Sequence, residues 1–147
     1  MITLRNFVKE DALTLQKSYS HLSVEQTENL ICEWNQKRFN DRYFEMFAVL
    51  FGEDIVGNIS LYQHSSEVIS IGPEIFEPYR RRGFAKESLA LACNIAKENG
   101  YKIVSQQILT TNAASIALHL SLGFETNGYV YTNAKGNQVS IYLKCLV

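Results

Sequence analysis

The sequence predicts an α/β domain of the mixed α+β kind, one β-sheet with helices on both of its faces. Three observations carry that expectation. Tyr43 to Phe51, Ile55 to Tyr62 and Val68 to Phe76 are rich in β-branched and aromatic residues, as strands are. After Gly83 the apolar period changes from two to 3.6, with Leu89, Leu91, Ala92, Ile95 and Ala96 on one stripe. Ile103 to Leu109 then reads as a strand again. Residues 68–109 therefore form a strand–helix–strand unit, whose two strands should lie parallel.

The other elements follow in order. Ile2-Thr3-Leu4-Arg5 alternates and predicts a short strand. Asp11 opens a helical pattern through Ala12, Leu13 and Leu15. Ser23, with Gln26 three positions on, predicts a capping box and a second helix through Leu30, Ile31 and Trp34. Asn35 to Arg42 is polar and reads as a loop. Gly52-Glu53-Asp54 is turn chemistry, so the strands on either side should form a hairpin. Asn99-Gly100 closes the helix that follows Gly83. Asn112 or Ser115 starts another, carrying Ile116, Leu118 and Leu122 and ended by Gly123. Two last strands are predicted, Phe124 to Tyr131 and Val139 to Leu146, joined by the turn Asn133 to Asn137.

The chain of 147 residues is the usual size of one domain, and 1–147 is read as a single unit. Fourteen basic against fifteen acidic residues give a net charge of −1, which argues against a nucleic-acid binder. Cys32, Cys93 and Cys145 form neither a C-x-x-C pair nor a metal knuckle, so no metal is expected. Three unpaired thiols without a signal peptide suit a reducing cytoplasm. No apolar run approaches the ~18 residues that would span a membrane.

Chemistry concentrates at Arg80-Arg81-Arg82-Gly83-Phe84-Ala85-Lys86, between a strand and an amphipathic helix. The first turn of a helix presents amides without internal partners, and the helix dipole makes them an anion site. Gly83 lets a ligand approach the backbone. Guanidinium groups match phosphate oxygens.

This stretch resembles the cofactor motif of the GNAT N-acetyltransferase superfamily, Arg/Gln-x-x-Gly-x-Gly/Ala, in which Arg80, Gly83 and Ala85 fill the defined positions. Asn112 to Phe124 is similar to a second family segment, Asn-x-x-Ala/Ser-x-x-Leu-Tyr-x-x-x-Gly-Phe. Ile55-Val56-Gly57 and the opening Ile-x-Leu-Arg also fit, so the resemblance runs nearly the whole length. It implies the predicted mixed sheet with its two central parallel strands splayed apart. It implies acetyl-CoA as acyl donor, with Glu74, Ile75 and Phe76 beside the donor's arm, Arg80 to Lys86 on its pyrophosphate, and Asn112, Ser115 and His119 along it. The acceptor would be a primary amine, on a protein N-terminus or a small molecule, attacking the thioester directly. Dimers are common among relatives, which leaves a homodimer open.

The proton-transfer groups are less defined. His119 stands where many relatives have a tyrosine acid, and Ser115 is a second candidate that resembles the ribosomal-protein N-acetyltransferase branch. Gln107 stands where some relatives have a glutamate base. Glu74 and Glu67 are the carboxylates left near the site, with Glu74 favoured. Trp34, Phe39, Tyr43 and Phe44 are candidates to line an acceptor pocket, with Tyr129 and Tyr131 opposite. The departures at positions 107 and 119 keep an alternative alive, a module that binds acyl-CoA without turnover.

Overall fold

The computed structural model describes all of residues 1–147. Its elements are β1 (Ile2–Asn6), α1 (Ala12–Leu15), α2 (Val24–Trp34), β2 (Arg38–Phe39), β3 (Arg42–Phe51), β4 (Asp54–Gln63), β5 (Val68–Ile75), α3 (Phe84–Glu98), β6 (Ile103–Leu109), α4 (Ala113–Ser121), β7 (Tyr131–Thr132) and β8 (Gln138–Cys145). The strands form one mixed sheet in the order β1-β3-β4-β5-β6-β8-β7, with β2 paired to β3. Every neighbouring pair is antiparallel except β5 and β6, the two strands of the predicted crossover unit.

Side-chain alternation divides the core between the two faces. Val49, Val56, Leu61, Ile69 and Val104 meet Leu89, Ala92 and Ala96 of α3 on one face. Ala48, Leu50 and Ile55 meet Ala12, Leu15 and Ile31 of α1 and α2 on the other. Full burial of a side chain such as Leu89 contributes about 1.5–3 kcal/mol.

Local chemistry sets the element ends. Ser23 and Gln26 form the predicted capping box, with bonds of 3.1 and 2.8 Å. Asn112, not Ser115, caps α4, accepting from the Ser115 amide at 3.0 Å. Asp11 stands at the head of α1 as expected, at its N-cap position, but makes no side-chain cap bond there. Its carboxylate takes the Val8 amide and the Arg5 guanidinium, so residues 9–11 make a 3-10 turn and α1 is only four residues long. Within the expected 35–42 loop, Arg38 and Phe39 pair with β3.

The predicted strand from Phe124 to Tyr131 is not formed. Glu125 makes one isolated bridge to Leu143, and regular pairing resumes only at Tyr131. Thr126 Oγ1 takes the Gly128 amide and Asn127 Oδ1 takes the Tyr129 amide. These side-chain turns, with Gly128 at φ 78°, pull the backbone out of the ladder.

Two irregularities shape the middle of the sheet. Val49 faces Gly57 while Leu50 faces Ile55, so Val56 is the extra residue of a β-bulge in β4. β5 and β6 pair only at Val68 with Ile103 and Ile69 with Val104, then diverge.

Candidate active site

The loop before α3 is built from backbone geometry. Glu77-Pro78-Tyr79 makes a 3-10 turn, and Arg81 and Gly83 then both enter the left-handed region, at φ 69° and 81°. The helix closes its first bond from the Glu87 amide to the Gly83 carbonyl, so the amides of Phe84, Ala85 and Lys86 have no helical acceptor. Gly83 offers no side-chain cap. The one acid in this turn, Glu87, is committed elsewhere, accepting from the Ile2 amide at 2.6 Å. Arg81 and Arg82 are exposed and take part in no ion pair. The result is an uncompensated positive helix end. Arg80 ties the loop to β5 through Nε, which donates to the Ile75 carbonyl at 2.8 Å.

Beside this loop, β5 presents an open edge. Ile71 directs both its N–H and its C=O toward β6, and alternation turns Pro73 and Ile75 the same way. Arg80 occupies the Ile75 carbonyl, which leaves the Pro73 carbonyl and the Ile75 amide facing the gap. A groove of about 290 Å³ continues from there, lined by Ile75, Arg80, Arg81, Gly83, Phe84, Ala85, Lys86 and Ser115, with Ala114 and Leu118 on the α4 side. The structure thus gathers most of the expected donor-binding residues around one groove. Asn112 lies at the end of α4, its Oδ1 spent on the cap.

Behind the groove lies His119, buried at 3% exposure. Nδ1 is 2.7 Å from the Ser115 carbonyl and Nε2 is 3.3 Å from Nε2 of Gln106. The carbonyl only accepts and the amide nitrogen only donates, so the ring is the neutral Nδ1–H tautomer. Burial pushes its pKa down, against a smaller upward pull from the Ser115 carbonyl. With Nδ1–H already a donor, the Ser115 hydroxyl 3.3 Å away keeps its own proton for another partner. Gln106 was not among the expected residues. Its signal is its phase: Val104, Gln106 and Ile108 share one buried face, and a buried amide must find partners.

Glu74 and Phe76 belong to the opposite side of β5. Tyr19 Oη donates to Glu74 Oε1 at 3.1 Å, and Asn58 Nδ2 donates to Tyr19 Oη at 2.9 Å and to Glu74 Oε1 at 3.3 Å. Burial, reinforced by the Glu74 charge, pushes the Tyr19 phenol up to about 12. A cavity of about 480 Å³ opens here, bordered by Thr14, Lys17, Ile55, Glu74, Tyr79 and Arg80. The aromatic candidates do not converge on it. Trp34 packs on Phe7, Phe39 on Phe44 and Tyr62, and Tyr43 stacks on Tyr101. Gln107 accepts from Asn133 and donates to the Tyr131 hydroxyl, both at 2.8 Å, fastening the β7–β8 turn to β6. Cys93 is buried and its thiol is pushed up to about 11, while Cys32 and Cys145 are exposed. No group of three His, Cys, Asp or Glu side chains is placed to hold a metal ion. No helix is long and apolar enough to cross a membrane.

Several proteins similar to this chain are described as acetyltransferases. A prophage-derived uncharacterized N-acetyltransferase of Bacillus subtilis, YokL, is 28% identical over 137 residues, covering 86% of this chain and 77% of the relative. YncA of Salmonella typhimurium, a putative acetyltransferase solved with acetyl-CoA, superposes with a TM-score of 0.75 at 16% identity, covering 100% and 95% of the two chains. A Salmonella typhimurium acetyltransferase described as modifying the N-terminal serine of a ribosomal subunit protein gives 0.80 at 15% identity, covering 98% and 94%. SpeG of Vibrio cholerae, a spermidine/spermine N-acetyltransferase, gives 0.77 at 15% identity, covering 99% and 95%. The family described as the acetyltransferase (GNAT) domain matches residues 2–125, and the chain belongs to it.

Proposed function

We propose that the protein transfers an acetyl group from acetyl-CoA to a primary amine by direct attack. The observation that carries this reading is a groove that brings Ile75, three unpartnered α3 amides and Ser115 together at the end of the open strand edge running from Pro73 to Ile75. A diphosphate fits the amides and the flanking arginines, and an amide-bearing arm fits the edge as an added strand would. Acetyl-CoA supplies a thioester whose acyl carbon is the electrophile. The neighbours named for a ribosomal N-terminal serine and for spermidine/spermine have in common a primary amine as acceptor.

An amine near neutral pH carries an extra proton that must leave before attack. Glu74 faces the cavity on the side of β5 away from the groove, where Glu77 also lies, and its bonds to Tyr19 and Asn58 hold it in place; we assign it the base role, directly or through water. The C–N bond forms as the C–S bond breaks. The thiolate takes a proton from the Ser115 hydroxyl or from solvent, and is a tolerable leaving group in either case. His119 has no proton free to give, because its one N–H is spent on the Ser115 carbonyl. We therefore assign it to holding α4 rather than to acid catalysis.

Isotope-labelled acetyl-CoA incubated with a panel of peptides, polyamines and amino acids tests the reading. Label appearing on an amine supports it. Tight binding of acetyl-CoA with transfer to no amine would establish the module without turnover instead.

A further inference from the structure

Gln106 sits where the sheet comes apart. The parallel ladder ends at Ile69 and Val104, and the next outward-facing residue of β5 is Ile71. In a regular ladder the β6 backbone would pair with Ile71. Here the Gln106 side chain does so. Its Oε1 accepts from the Ile71 amide at 2.9 Å and its Nε2 donates to the Ile71 carbonyl at 2.6 Å. The second hydrogen of Nε2 faces Nε2 of His119 at 3.3 Å. The bonds to Ile71 fix which way the amide points, and the fixed amide in turn selects the His119 tautomer. A chain of bonds therefore runs from the Ile71 carbonyl through Gln106 and His119 to the Ser115 carbonyl.

We infer that Gln106 is a positioning residue, whose carboxamide replaces a piece of missing ladder and so fixes where the donor cleft opens and how α4 is registered against β5. A backbone pair at Ile71 would continue the zip toward Pro73 and narrow the edge. The longer reach of a side chain satisfies Ile71 while holding the strands apart. The same amide anchors His119, and through it the turn of α4 that carries Ser115. This inference rests on the acetyl-CoA reading of the groove. It makes Gln106 a determinant of the cleft rather than a contact of the ligand.

The ionisable groups facing Gln106 are His119 from α4 and Tyr142 across the β6–β8 ladder, with His64 farther along a surface groove that Gln106 also borders. Gln106→Glu keeps the shape and removes the donor. A carboxylate would face both the Ile71 carbonyl and the His119 lone pair, and one proton taken up by either new partner restores a donor. CoA binding measured by calorimetry from pH 5.5 to 8.5 is the test. At the alkaline end Gln106→Glu should bind CoA roughly 5- to 150-fold more weakly, the range for leaving a buried group unpaired. It should recover as pH falls, whereas wild type should weaken when His119 becomes protonated. Gln106→Leu should be weak throughout.

Wild-type affinity in Gln106→Glu, or a pH slope parallel to wild type, would overturn the inference while leaving the function intact. Wild type that fails to bind CoA at all would overturn both. If the variants do not fold, amide exchange in the wild-type protein decides the matter. The Ile71 amide should be protected without ligand, and the Ile75 amide only once CoA is added. Equal exchange at the two amides without ligand would refute the clamp.

Discussion

Gly57→Ala should damage both stability and turnover through one steric conflict. A Cβ at Gly57 would lie 2.1 Å from the Glu74 carbonyl oxygen, 3.0 Å from the Ile75 Cα and 3.1 Å from the Glu74 carbonyl carbon. All three atoms are backbone, so no rotamer change relieves the clash. The strands must separate by about 1 Å to restore an ordinary contact. That shift falls on Glu74 and Ile75, which carry the carboxylate and the free amide of the site. Overpacking of this kind costs about 1–3 kcal/mol, and a domain of this size loses roughly 2–4 °C in Tm per kcal/mol. A displacement of ~1 Å at a reacting site lowers turnover by up to ~100-fold. Urea unfolding and acetyl transfer, measured on the same preparation, give both numbers. Gly128→Ala is the control. Gly128 is at φ 78° with no atom within 4 Å of its Cβ, so it should lose only ~1–2 kcal/mol and keep full activity. Gly57→Ala with wild-type stability and turnover would show that the close approach of β4 and β5 is not what places the edge.

Three further outcomes are expected. Gly83→Glu should abolish CoA binding by calorimetry, because bulk and negative charge enter a left-handed position beside the free α3 amides; unchanged affinity would remove the loop from the donor site. Tyr19→Phe should lower turnover roughly tenfold by taking a hydrogen bond from Glu74. The ratio to wild type should stay constant from pH 6 to 9, since a phenol raised to about 12 does not titrate there, and a ratio that varies with pH would make Tyr19 an acid–base group. The folded pKa of His119 lies below the ordinary 6.5, so its contribution to stability is complete above 6.5 and is lost as pH falls toward the depressed value. His119→Gln should flatten unfolding free energy against pH in that window. An unchanged slope would assign the loss to His64, which burial also lowers.

What the sequence made legible follows from where the physics is local. The loop before α3 is a local device, a glycine at a helix start with arginines before it, and the helix does start after Gly83 beside a groove that residues 80–86 largely line. The crossover unit is nearly as local, and its strands are parallel neighbours. The strand expected from Phe124 does not form because Thr126 and Asn127 compete with the ladder for their own backbone, an effect alternation does not register. Tyr19 and Asn58 carry no signal in the sequence for another reason. They reach Glu74 from 55 and 16 residues away, and no spacing in the chain announces such a meeting. Arg81 in the left-handed region carries no compositional mark either, since arginine has no preference for it.

The backbone of β5 shows how a central strand is made to behave as an edge. Each polar group turned toward the gap needs a partner or must be dispensed with. Gln106 takes both groups of Ile71, and Arg80 takes the carbonyl of Ile75. Between them stands Pro73, at a position whose N–H would also point into the opening. Proline has no N–H to leave unpaired, and within sheets it is confined to places where the ladder is absent. It sits opposite Ile59 without removing any bond to β4, because its nitrogen faces the other way. A glutamine, an arginine and a proline thus account for every group on this side but two, the Pro73 carbonyl and the Ile75 amide. One acceptor and one donor, spaced along an extended strand and flanked by positive charge, are complementary to a ligand that carries amides and ends in phosphate. Filling the Pro73 position with an ordinary residue would add a second unpaired donor to the cleft. The proline therefore defines the pattern of the edge as much as the two groups it leaves open.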